Sequence, residues 1–487
     1  MKIRFSRFAW RSLKSIAHAL VGALAVLVVV LVVYLQGRPD LEVWHLANLD
    51  EEFRAGEGVG TFTDYLALED RLFAQLDDLV YGATKEETEY RINRYDRGSL
   101  SDPGRWPTNW NRSYELPREA PEAGVLLLHG LSDSPYSLRA LGERLHGLDA
   151  LVLGLRVPGH GTAPSGLVEI QWEDMASAVS LAVVHLREQI GDRPLHIIGY
   201  SNGAALAVHY ALTSLEDQSL PKVQRLVLIS PAIGVTKVAA LAVWQSRIGH
   251  LLGLEKLAWN SILPEYDPFK YGSFAVNAGD LEYRLTGEIQ DRFDALEGTG
   301  ALDRFPRVLA FQSVVDATVS APALVDGLLG RLPGRGHELV LFDINRTAAI
   351  EPILKRNPAA DIAALLGDAN RAFKLSLVTN EGTPGQQVEV RIKPPGGAPV
   401  ESRDLGLSWP RDVYSLAHVA LPFSRRDPVY GGAGAEESPG IHLGGLALRG
   451  ERGVLRIPAS DMLRLRWNPF YPYLEWRALR FLELGGR

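Results

Sequence analysis

Six short apolar runs, which alternate with helical stretches, constrain the fold of this sequence more than any other feature. The runs are VLLLHG, LVLGL, LHIIG, RLVLIS, RVLAFQ and ELVLFD, beginning at positions 125, 151, 195, 225, 307 and 338. Their apolar character is continuous, which is typical of parallel strands covered on both faces. Helical patterns near 136–147, 173–190 and 203–214 separate the first four runs. The sequence therefore predicts an α/β fold with a doubly wound, mainly parallel sheet.

Residues 1–38 predict a basic, cytoplasmic start followed by a transmembrane anchor. Six cations and no acid precede Asp40, and an apolar run extends from about residue 16 to residue 35. About 20 apolar residues suffice for a helix to cross a bilayer core. The positive-inside rule keeps the basic flank in the cytoplasm and places the main domain outside, in the periplasm if the cell has two membranes. The alternative is a cleaved signal peptide, which normally has a shorter apolar region.

Composition excludes several classes of function. The chain has no cysteine, which excludes disulfide frameworks, cysteine nucleophiles and cysteine-ligated zinc or iron–sulfur sites. The formal net charge is -7, and removing the six N-terminal cations leaves -13 for the remainder. An acidic body argues against nucleic acid as the main partner. The sequence predicts neither a metal nor an organic cofactor.

The chain divides into a core and several additions. Residues 39–120 predict an N-terminal extension that packs on the core, because Trp106, Trp110 and Tyr114 suggest burial. We expect the core to occupy residues 121–231 and 301–487.

Two insertions interrupt the core. Residues 232–300 are mainly helical in pattern and rich in large apolar groups. A second insertion at about 345–410 contains a helical piece and two strands, FKLSLVT and VEVRIKP, joined by a Gly/Pro turn. The C-terminal segment YPYLEWRALRFLEL predicts a closing amphipathic helix.

The pentapeptide GYSNG, residues 199–203, matches the pattern G-x-S-x-G. The preceding LHII supplies a strand and the following AALAVHYAL a helix, as a nucleophile elbow requires. In such an elbow the serine occupies a strained turn, and side chains at the flanking glycine positions would collide. The context predicts Ser201 as a nucleophile. The alternative is a serine that only caps the helix.

A serine nucleophile needs a base, and the base needs an orienting carboxylate. The chain order expected in this type of fold is serine, acid, histidine. Asp316 follows the late strand RVLAFQ and is the predicted acid. Asp326 sits inside the next helical pattern, and Asp343 ends the following strand.

Three histidines, His337, His418 and His442, follow Asp316. His337 precedes a strand, whereas sites of this fold class form at the carboxyl ends of strands. His442 lies in a glycine-rich stretch with no strand leading to it. His418 follows a short extended run, and we predict it as the base.

The oxyanion hole needs two backbone N–H groups that point at the developing negative charge. One is expected from Asn202, directly after the nucleophile. The other is expected from Leu131, in the loop HGLSDSPYS after the first core strand. His129 and His160 are expected to be structural hydrogen-bonding residues in their loops.

The segments HGLSDSPYS, RVPGHGTAP and GYSNG, followed by the Asp316 segment and His418, resemble the α/β-hydrolase superfamily. Within it they are most similar to the monoacylglycerol lipase, lysophospholipase and serine aminopeptidase-like group. The resemblance covers about residues 120–345 and resumes near His418. It implies Ser201 as nucleophile, Asp316 as acid, His418 as base, and Leu131 and Asn202 as oxyanion donors. It also implies that residues 232–300 form a cap over an acyl pocket.

These features predict a membrane-anchored serine esterase or lipase that acts on an acyl ester, such as a monoacylglycerol or a lysophospholipid. A peptidase or amidase with the same triad is a second hypothesis. It would need an acidic group for a substrate amino terminus, and the residues considered are Glu255, Glu265, Asp267 and Asp280. A third hypothesis is a non-catalytic binding module tethered to the membrane.

Overall fold

The computed structural model describes residues 2–84, 92–234, 254–316, 319, 321–334, 336–347, 352, 354, 357–382, 385–396, 398–446, 460 and 463–485. Its strands are β1 (Tyr114–Leu116), β2 (Ala123–Leu128), β3 (Ala150–Leu155), β4 (Leu195–Tyr200), β5 (Arg225–Ile229), β6 (Trp259–Ser261), β7 (Phe274–Ala275), β8 (Arg307–Ser313), β9 (Glu338–Phe342), β10 (Lys374–Asn380), β11 (Gln387–Lys393) and β12 (Glu401–Ser408). Its helices are α1 (Lys2–Gln36), α2 (Val43–Leu46), α3 (Phe62–Leu76), α4 (Arg139–His146), α5 (Gly166–Glu169), α6 (Trp172–Ile190), α7 (Asn202–Glu216), α8 (Val276–Leu296), α9 (Ala321–Leu324), α10 (Ala359–Gly367) and α11 (Tyr471–Leu482).

Ten strands form one sheet in the order β1-β3-β2-β4-β5-β8-β9-β10-β11-β12. Neighbouring strands run parallel from β3 to β10, whereas β1 at one edge and β11 and β12 at the other are antiparallel. The winding direction reverses at β2, which has β3 on one side and β4 on the other. In open α/β sheets, binding sites form at the carboxyl ends of the strands beside such a reversal.

Helices cover both faces of the sheet. Along β2, Leu126 packs into the core beneath α6, α7 and α8, while Val125 packs into the opposite core beneath α4 and α11. Successive side chains of a strand point to opposite faces, and both faces of this sheet are covered by helices. This explains the continuous apolar runs and confirms the predicted doubly wound α/β fold.

The helix α1 contains the apolar stretch Leu13–Gln36, which is long and apolar enough to cross a membrane; a signal sequence would satisfy the same criterion. Its carboxyl end is attached to the segment before β6. The guanidinium of Arg38 donates to the carbonyl of Lys256 at 3.0 Å, and Lys256 Nζ donates to the Asp40 carboxylate at 2.7 Å. The chain thus enters the globular part beside residues 256–260.

The extension of residues 39–120 is joined to the core by a buried cluster of charges around Arg156, which we call the Arg156 cluster. The guanidinium of Arg156 is fully buried and contacts both carboxylate oxygens of Glu52 at 3.0 Å and Glu69 Oε2 at 3.0 Å. Glu52 also accepts from the backbone N–H of Gly159 at 2.9 Å. Tyr65 Oη donates to the Arg156 carbonyl at 2.5 Å. The extension therefore holds the loop that follows β3.

The insertion after β9 enlarges the sheet. The predicted strands FKLSLVT and VEVRIKP are β10 and β11, and α10 is the predicted helical piece. A third strand, β12, was not predicted, because its sequence ESRDLGLS is polar and it lies largely exposed at the sheet edge. The predicted closing helix is α11.

The range 232–300, predicted as a cap, falls into three parts. Residues 235–253 lie outside the described residues. Residues 276–296 form α8, whose Leu285 and Ile289 are fully buried in the same core as α7. These 21 residues are a layer helix of the core, because their apolar stripe packs against α5, α6 and α7. For residues 232–275 and 297–300, the role of a cap stays a prediction.

Candidate active site

Ser201 occupies the turn between β4 and α7 with φ 54° and ψ -118°. This region of backbone conformation is rare for residues other than glycine and marks strain. Its two glycine neighbours fit tightly. A Cβ atom on Gly199 would lie 2.5 Å from the carbonyl oxygen of Gly203, and one on Gly203 would lie 2.2 Å from that of Leu128. The glycines therefore allow the turn to pack closely against β2. This packing positions Ser201 at the carboxyl edge of the sheet.

Asp316 and His418 meet although 102 residues separate them in the chain. His418 Nδ1 lies 2.7 Å from Asp316 Oδ2, and both side chains are buried. An ionised carboxylate only accepts hydrogen bonds, so Nδ1 carries the proton and Nε2 is left as the proton acceptor of the ring. This is the tautomer that a general base next to a serine requires.

Further contacts fix this pair beside the elbow. Gln312 Nε2 donates to Asp316 Oδ2 at 3.0 Å, and the Val319 N–H donates to Oδ1 at 3.0 Å. The His418 ring lies 5.4 Å from that of Tyr200, the residue before Ser201. No hydrogen bond joins the Ser201 hydroxyl to His418 in this conformation of the described chain. Such contacts often close only when substrate is bound.

The other acids and histidines that were considered are engaged elsewhere. His337 Nδ1 accepts from the Val308 N–H at 3.2 Å, at the amino end of β9. His442 Nε2 lies 2.8 Å from the Gly431 carbonyl. Asp343 binds the guanidinium of Arg346 and accepts from Thr379 Oγ1 at 2.8 Å. Asp326 lies in the helical turn directly after α9.

The loop after β2 carries Leu131 and is held from both sides. His129 Nδ1 donates to the Gly130 carbonyl at 2.9 Å, and Nε2 accepts from the Val157 N–H at 3.0 Å. Burial holds the pKa of His129 well below its usual range, so the ring stays neutral. On the other side, the Ser132 carbonyl accepts from the Tyr271 N–H at 2.8 Å. These bonds fix the backbone of the loop that carries Leu131.

Burial also lowers the pKa of His160 to about 4. Its Nδ1 donates to the Pro158 carbonyl at 3.0 Å, and its ring lies 4.9 Å from that of His129. Both histidines thus have the structural hydrogen bonds expected for them.

Several groups near the site were not found from the sequence. Lys270 Nζ binds Asp133 Oδ1 at 3.1 Å, and both line a crevice of about 10 Å³ next to Tyr200, which has room for one water molecule at most. On α8, burial and then the charge of Asp316 raise the pKa of Glu282 to about 7. Only Gln312, a polar residue at the end of RVLAFQ, left a recognisable signal in the sequence.

The described residues hold no group of three histidine, aspartate or glutamate side chains placed to bind a metal ion.

Residues 119–266 match the model of the family described as serine aminopeptidase, S33. This range contains β2 to β5 and the Ser201 elbow. The chain contains an α/β-hydrolase domain. The match supports an enzyme of the serine hydrolase type.

Solved structures similar to the α/β-hydrolase domain cover about half of the chain. One is a metagenome-derived lipolytic enzyme, with 18% identity and a TM-score of 0.37 over 53% of this chain and 97% of that one. Another is the monoacylglycerol lipase of Paleococcus ferrophilus, with 19% identity and a TM-score of 0.36 over 48% and 89%. A third is a soluble variant of monoglyceride lipase from Saccharomyces cerevisiae, with 13% identity and a TM-score of 0.36 over 47% and 82%. No curated protein matches the chain.

Proposed function

We propose that this protein hydrolyses carboxylic esters through an acyl-enzyme on Ser201, with His418 as base and Asp316 as the acid that orients it. The observation that carries the proposal is the 2.7 Å contact between His418 Nδ1 and Asp316, beside a serine at φ 54°. Each of the three residues has one of the roles that acyl transfer on serine requires.

In the first half of the reaction, Ser201 Oγ attacks the ester carbonyl carbon while its proton passes to His418 Nε2. The carbonyl oxygen becomes an oxyanion, which the N–H groups of Leu131 and Asn202 stabilise. Asp316 accepts from Nδ1 and stabilises the imidazolium. The tetrahedral intermediate collapses, the C–O bond to the alcohol breaks, and the alcohol leaves with the proton from Nε2.

In the second half, a water molecule attacks the acyl-enzyme as His418 Nε2 takes one of its protons. The second tetrahedral intermediate uses the same oxyanion donors. Its collapse returns the proton from His418 to Ser201 Oγ and releases the carboxylic acid. No cofactor is needed, because the nucleophile, the base and the electrostatic stabilisation all come from the chain.

We also propose that α1 anchors the protein in a membrane, with its basic end in the cytoplasm and the α/β-hydrolase domain on the other side. The apolar stretch of α1 and its basic flank support this orientation. Arg38 and Asp40, which follow α1, contact Lys256 in the range predicted as a cap, which supports a cap close to the proposed anchor. This proximity favours a lipid-like acyl ester as substrate.

The absence of cysteine allows a clean test of this orientation. Single cysteines would be introduced by Ser6→Cys, before the apolar stretch, and by Ser219→Cys, in an exposed turn. We expect a membrane-impermeant maleimide to label the second variant in intact cells or spheroplasts, and the first only after permeabilisation. The reverse pattern would contradict the orientation, and labelling of a soluble Ser219→Cys protein that lacks the N-terminus would indicate a cleaved signal peptide.

The match to a serine aminopeptidase family supports amide hydrolysis as a second function. An aminopeptidase needs an acidic group available to the substrate amino terminus. Glu265 accepts from the backbone N–H groups of Gly272 and Ser273, both at 2.8 Å, and Asp267 accepts from Tyr430 Oη at 2.6 Å. Because these carboxylates are already bound inside the protein, we favour the ester.

The test uses the full chain in phosphatidylcholine nanodiscs, with p-nitrophenyl esters of short and long acids, aminoacyl p-nitroanilides and a fluorophosphonate probe. Ser201→Ala is expected to abolish probe labelling and to lower kcat by about 10⁴-fold or more. His418→Ala is expected to cost a similar factor. His337→Ala and His442→Ala are matched controls that should retain most of the activity. Folded protein without turnover or labelling at Ser201 would refute the proposal, and anilide turnover alone would favour the amidase.

A further inference from the structure

A groove of about 610 Å³ lies between the added strands β10–β12 and the helix α11, apart from the residues of the candidate active site. Its floor is apolar: Val390 and Ile392 of β11 and Leu405 and Leu407 of β12 point to the same side of the sheet. These β12 leucines are only partly buried. The groove therefore presents an elongated apolar surface at the end of the sheet.

One wall of the groove carries an exposed indole between two cations. The Trp476 side chain is 50% exposed, which is unusual for so large an apolar group. The guanidinium groups of Arg477 and Arg480 lie 5.5 and 5.6 Å from the centre of its ring. Arg477 is paired with Glu338, whereas Arg480 has no carboxylate partner among the described residues.

The lining is cationic in an acidic protein. Lys374, Arg403, Arg477 and Arg480 line the groove, and Asp404 is the acid in its lining. Glu338 pairs with Lys374 as well as with Arg477, and Glu401 pairs with Arg403 at 3.1 Å. Arg480 is thus the cation whose charge a ligand could neutralise. By contrast, residues after 38 carry a formal net charge of -13.

We propose that this groove binds the anion of a fatty acid, with the carboxylate on Arg480 and the alkyl chain along β11 and β12. An arginine can donate two parallel hydrogen bonds to a carboxylate, which makes it the preferred partner for this head group. Methylene groups of the alkyl chain would remove the apolar floor from water, which favours binding. The volume lies within the range of about 300–1,000 Å³ that is typical of small-molecule sites. The site is independent of the chemistry at Ser201.

The test measures decanoate binding by calorimetry to the full chain in phosphatidylcholine nanodiscs, with empty nanodiscs as blank. Decanol and decyltrimethylammonium serve as analogues that match the chain length and change only the head group. We expect one saturable decanoate site per chain, and binding of both analogues at least tenfold weaker. Equal binding of decanol would overturn the proposal, because the head group would then not be recognised.

Variants locate the site. Arg480→Gln removes the positive charge and the paired donors of the guanidinium, and should weaken decanoate binding by tenfold or more. Trp476→Ala should weaken it as well. Both positions are exposed, so the thermal midpoint should hardly change. Arg71→Gln, on α3, is the matched control: its side chain is exposed, paired with Glu51, and not in the groove. Its affinity should equal that of the wild type.

Two results would place the ligand elsewhere. Decanoate binding that survives Arg480→Gln and Trp476→Ala, and disappears when Ser201 carries a fluorophosphonate, would assign it to the catalytic site and overturn the proposal. Failure to bind decanoate, combined with association with phosphatidylglycerol vesicles that Arg480→Gln abolishes, would show that the surface contacts anionic lipid head groups instead. That result would also overturn it.

Discussion

The N-terminal extension and the added strands β10–β12 are joined to the same α/β-hydrolase domain in contrasting ways. The extension inserts Glu52 and Glu69 into the interior, where they surround the fully buried Arg156. The added strands continue the backbone ladder of the sheet, and the pair of Arg403 with Glu401 on β12 is mostly exposed to solvent. Desolvated charges tolerate no loss of a partner, whereas exposed pairs contribute little. The N-terminal extension is therefore held to the domain by buried charges. The added strands are held mainly by the sheet, and their charged side chains remain at the surface.

The largest expected effect comes from Arg156→Met, which leaves the buried carboxylate of Glu52 without a cation and that of Glu69 with only Arg112, at 3.6 Å. Breaking a buried pair in this way costs about 3–5 kcal/mol. We expect this loss in the free energy of unfolding, measured by urea denaturation followed by circular dichroism. The triple variant Arg156→Met, Glu52→Gln, Glu69→Gln removes the uncompensated charges and should recover much of the loss. A cost below about 1 kcal/mol for the single change would show that the extension is not held by this cluster.

As the pH falls, the N-terminal extension is expected to lose stability at a higher pH than the added strands do. Burial lowers the pKa of His45, in α2, to about 4, and that of His160, in the loop held by Arg156, also to about 4. Both are neutral in the folded protein, and an unfolded histidine titrates near 6.5. Between pH 6.5 and pH 4 the unfolded chain binds protons that these buried rings do not bind. The free energy of unfolding is therefore unaffected by these two histidines above pH 6.5, and it falls as the pH drops from 6.5 towards 4.

Residues 374–408 contain no histidine of their own, and the buried His337 contacts only the start of β10, through the N–H of Lys374. Hydrogen exchange at pH 7 and pH 4.5, corrected for the intrinsic rates, checks the difference. Protection should fall more in α2 and α3 than in β10 and β11, by an amount on the order of 1–3 kcal/mol. Equal losses in the two regions would contradict the comparison.

A smaller effect is expected from Tyr65→Phe, which removes the hydrogen bond from Tyr65 Oη to the Arg156 carbonyl and keeps the ring. A buried bond of this kind contributes about 0.5–1.5 kcal/mol, and the carbonyl would lose a partner. Chemical denaturation measures the change. Phe62→Leu, in the same helix, separates this effect from a general loosening of α3, because it alters packing and leaves the hydrogen bond in place.

The smallest effect is expected from Arg403→Ala on β12. Its pair with Glu401 is mostly exposed, with side chains 67% and 58% accessible. We expect a change of less than about 0.5 kcal/mol in the free energy of unfolding. A loss as large as that of Tyr65→Phe would mean that the two additions do not differ as described.

The sequence revealed those parts of the fold that depend on local patterns. Continuous apolar runs predicted the core strands, because both faces of the sheet are covered. The polar strand β12 was not predicted, because an exposed edge strand needs no apolar face. The helix α8 was assigned to the cap because its amphipathic pattern does not tell which surface its apolar stripe contacts.

The candidate site was predictable to a similar extent. The elbow at Ser201 has a local signature, so its φ of 54° agrees with the sequence. The contact between His418 and Asp316 spans an insertion, and it was predicted from chain order and resemblance rather than from spacing. The Arg156 cluster was not predicted, since Glu52 lies 104 residues from Arg156 in the chain and the segment around Glu52 has no recognisable motif.

The distance along the chain between Asp316 and His418 also orders events during synthesis. On the proposed assignment, a nascent chain already carries the elbow and the acid when the added strands emerge from the ribosome, and it still lacks its base. Contacts between such distant segments form late, because a long loop must close first. Ester turnover would therefore report that the carboxyl-terminal part has been made and folded, and truncated chains that end before residue 418 would be inert.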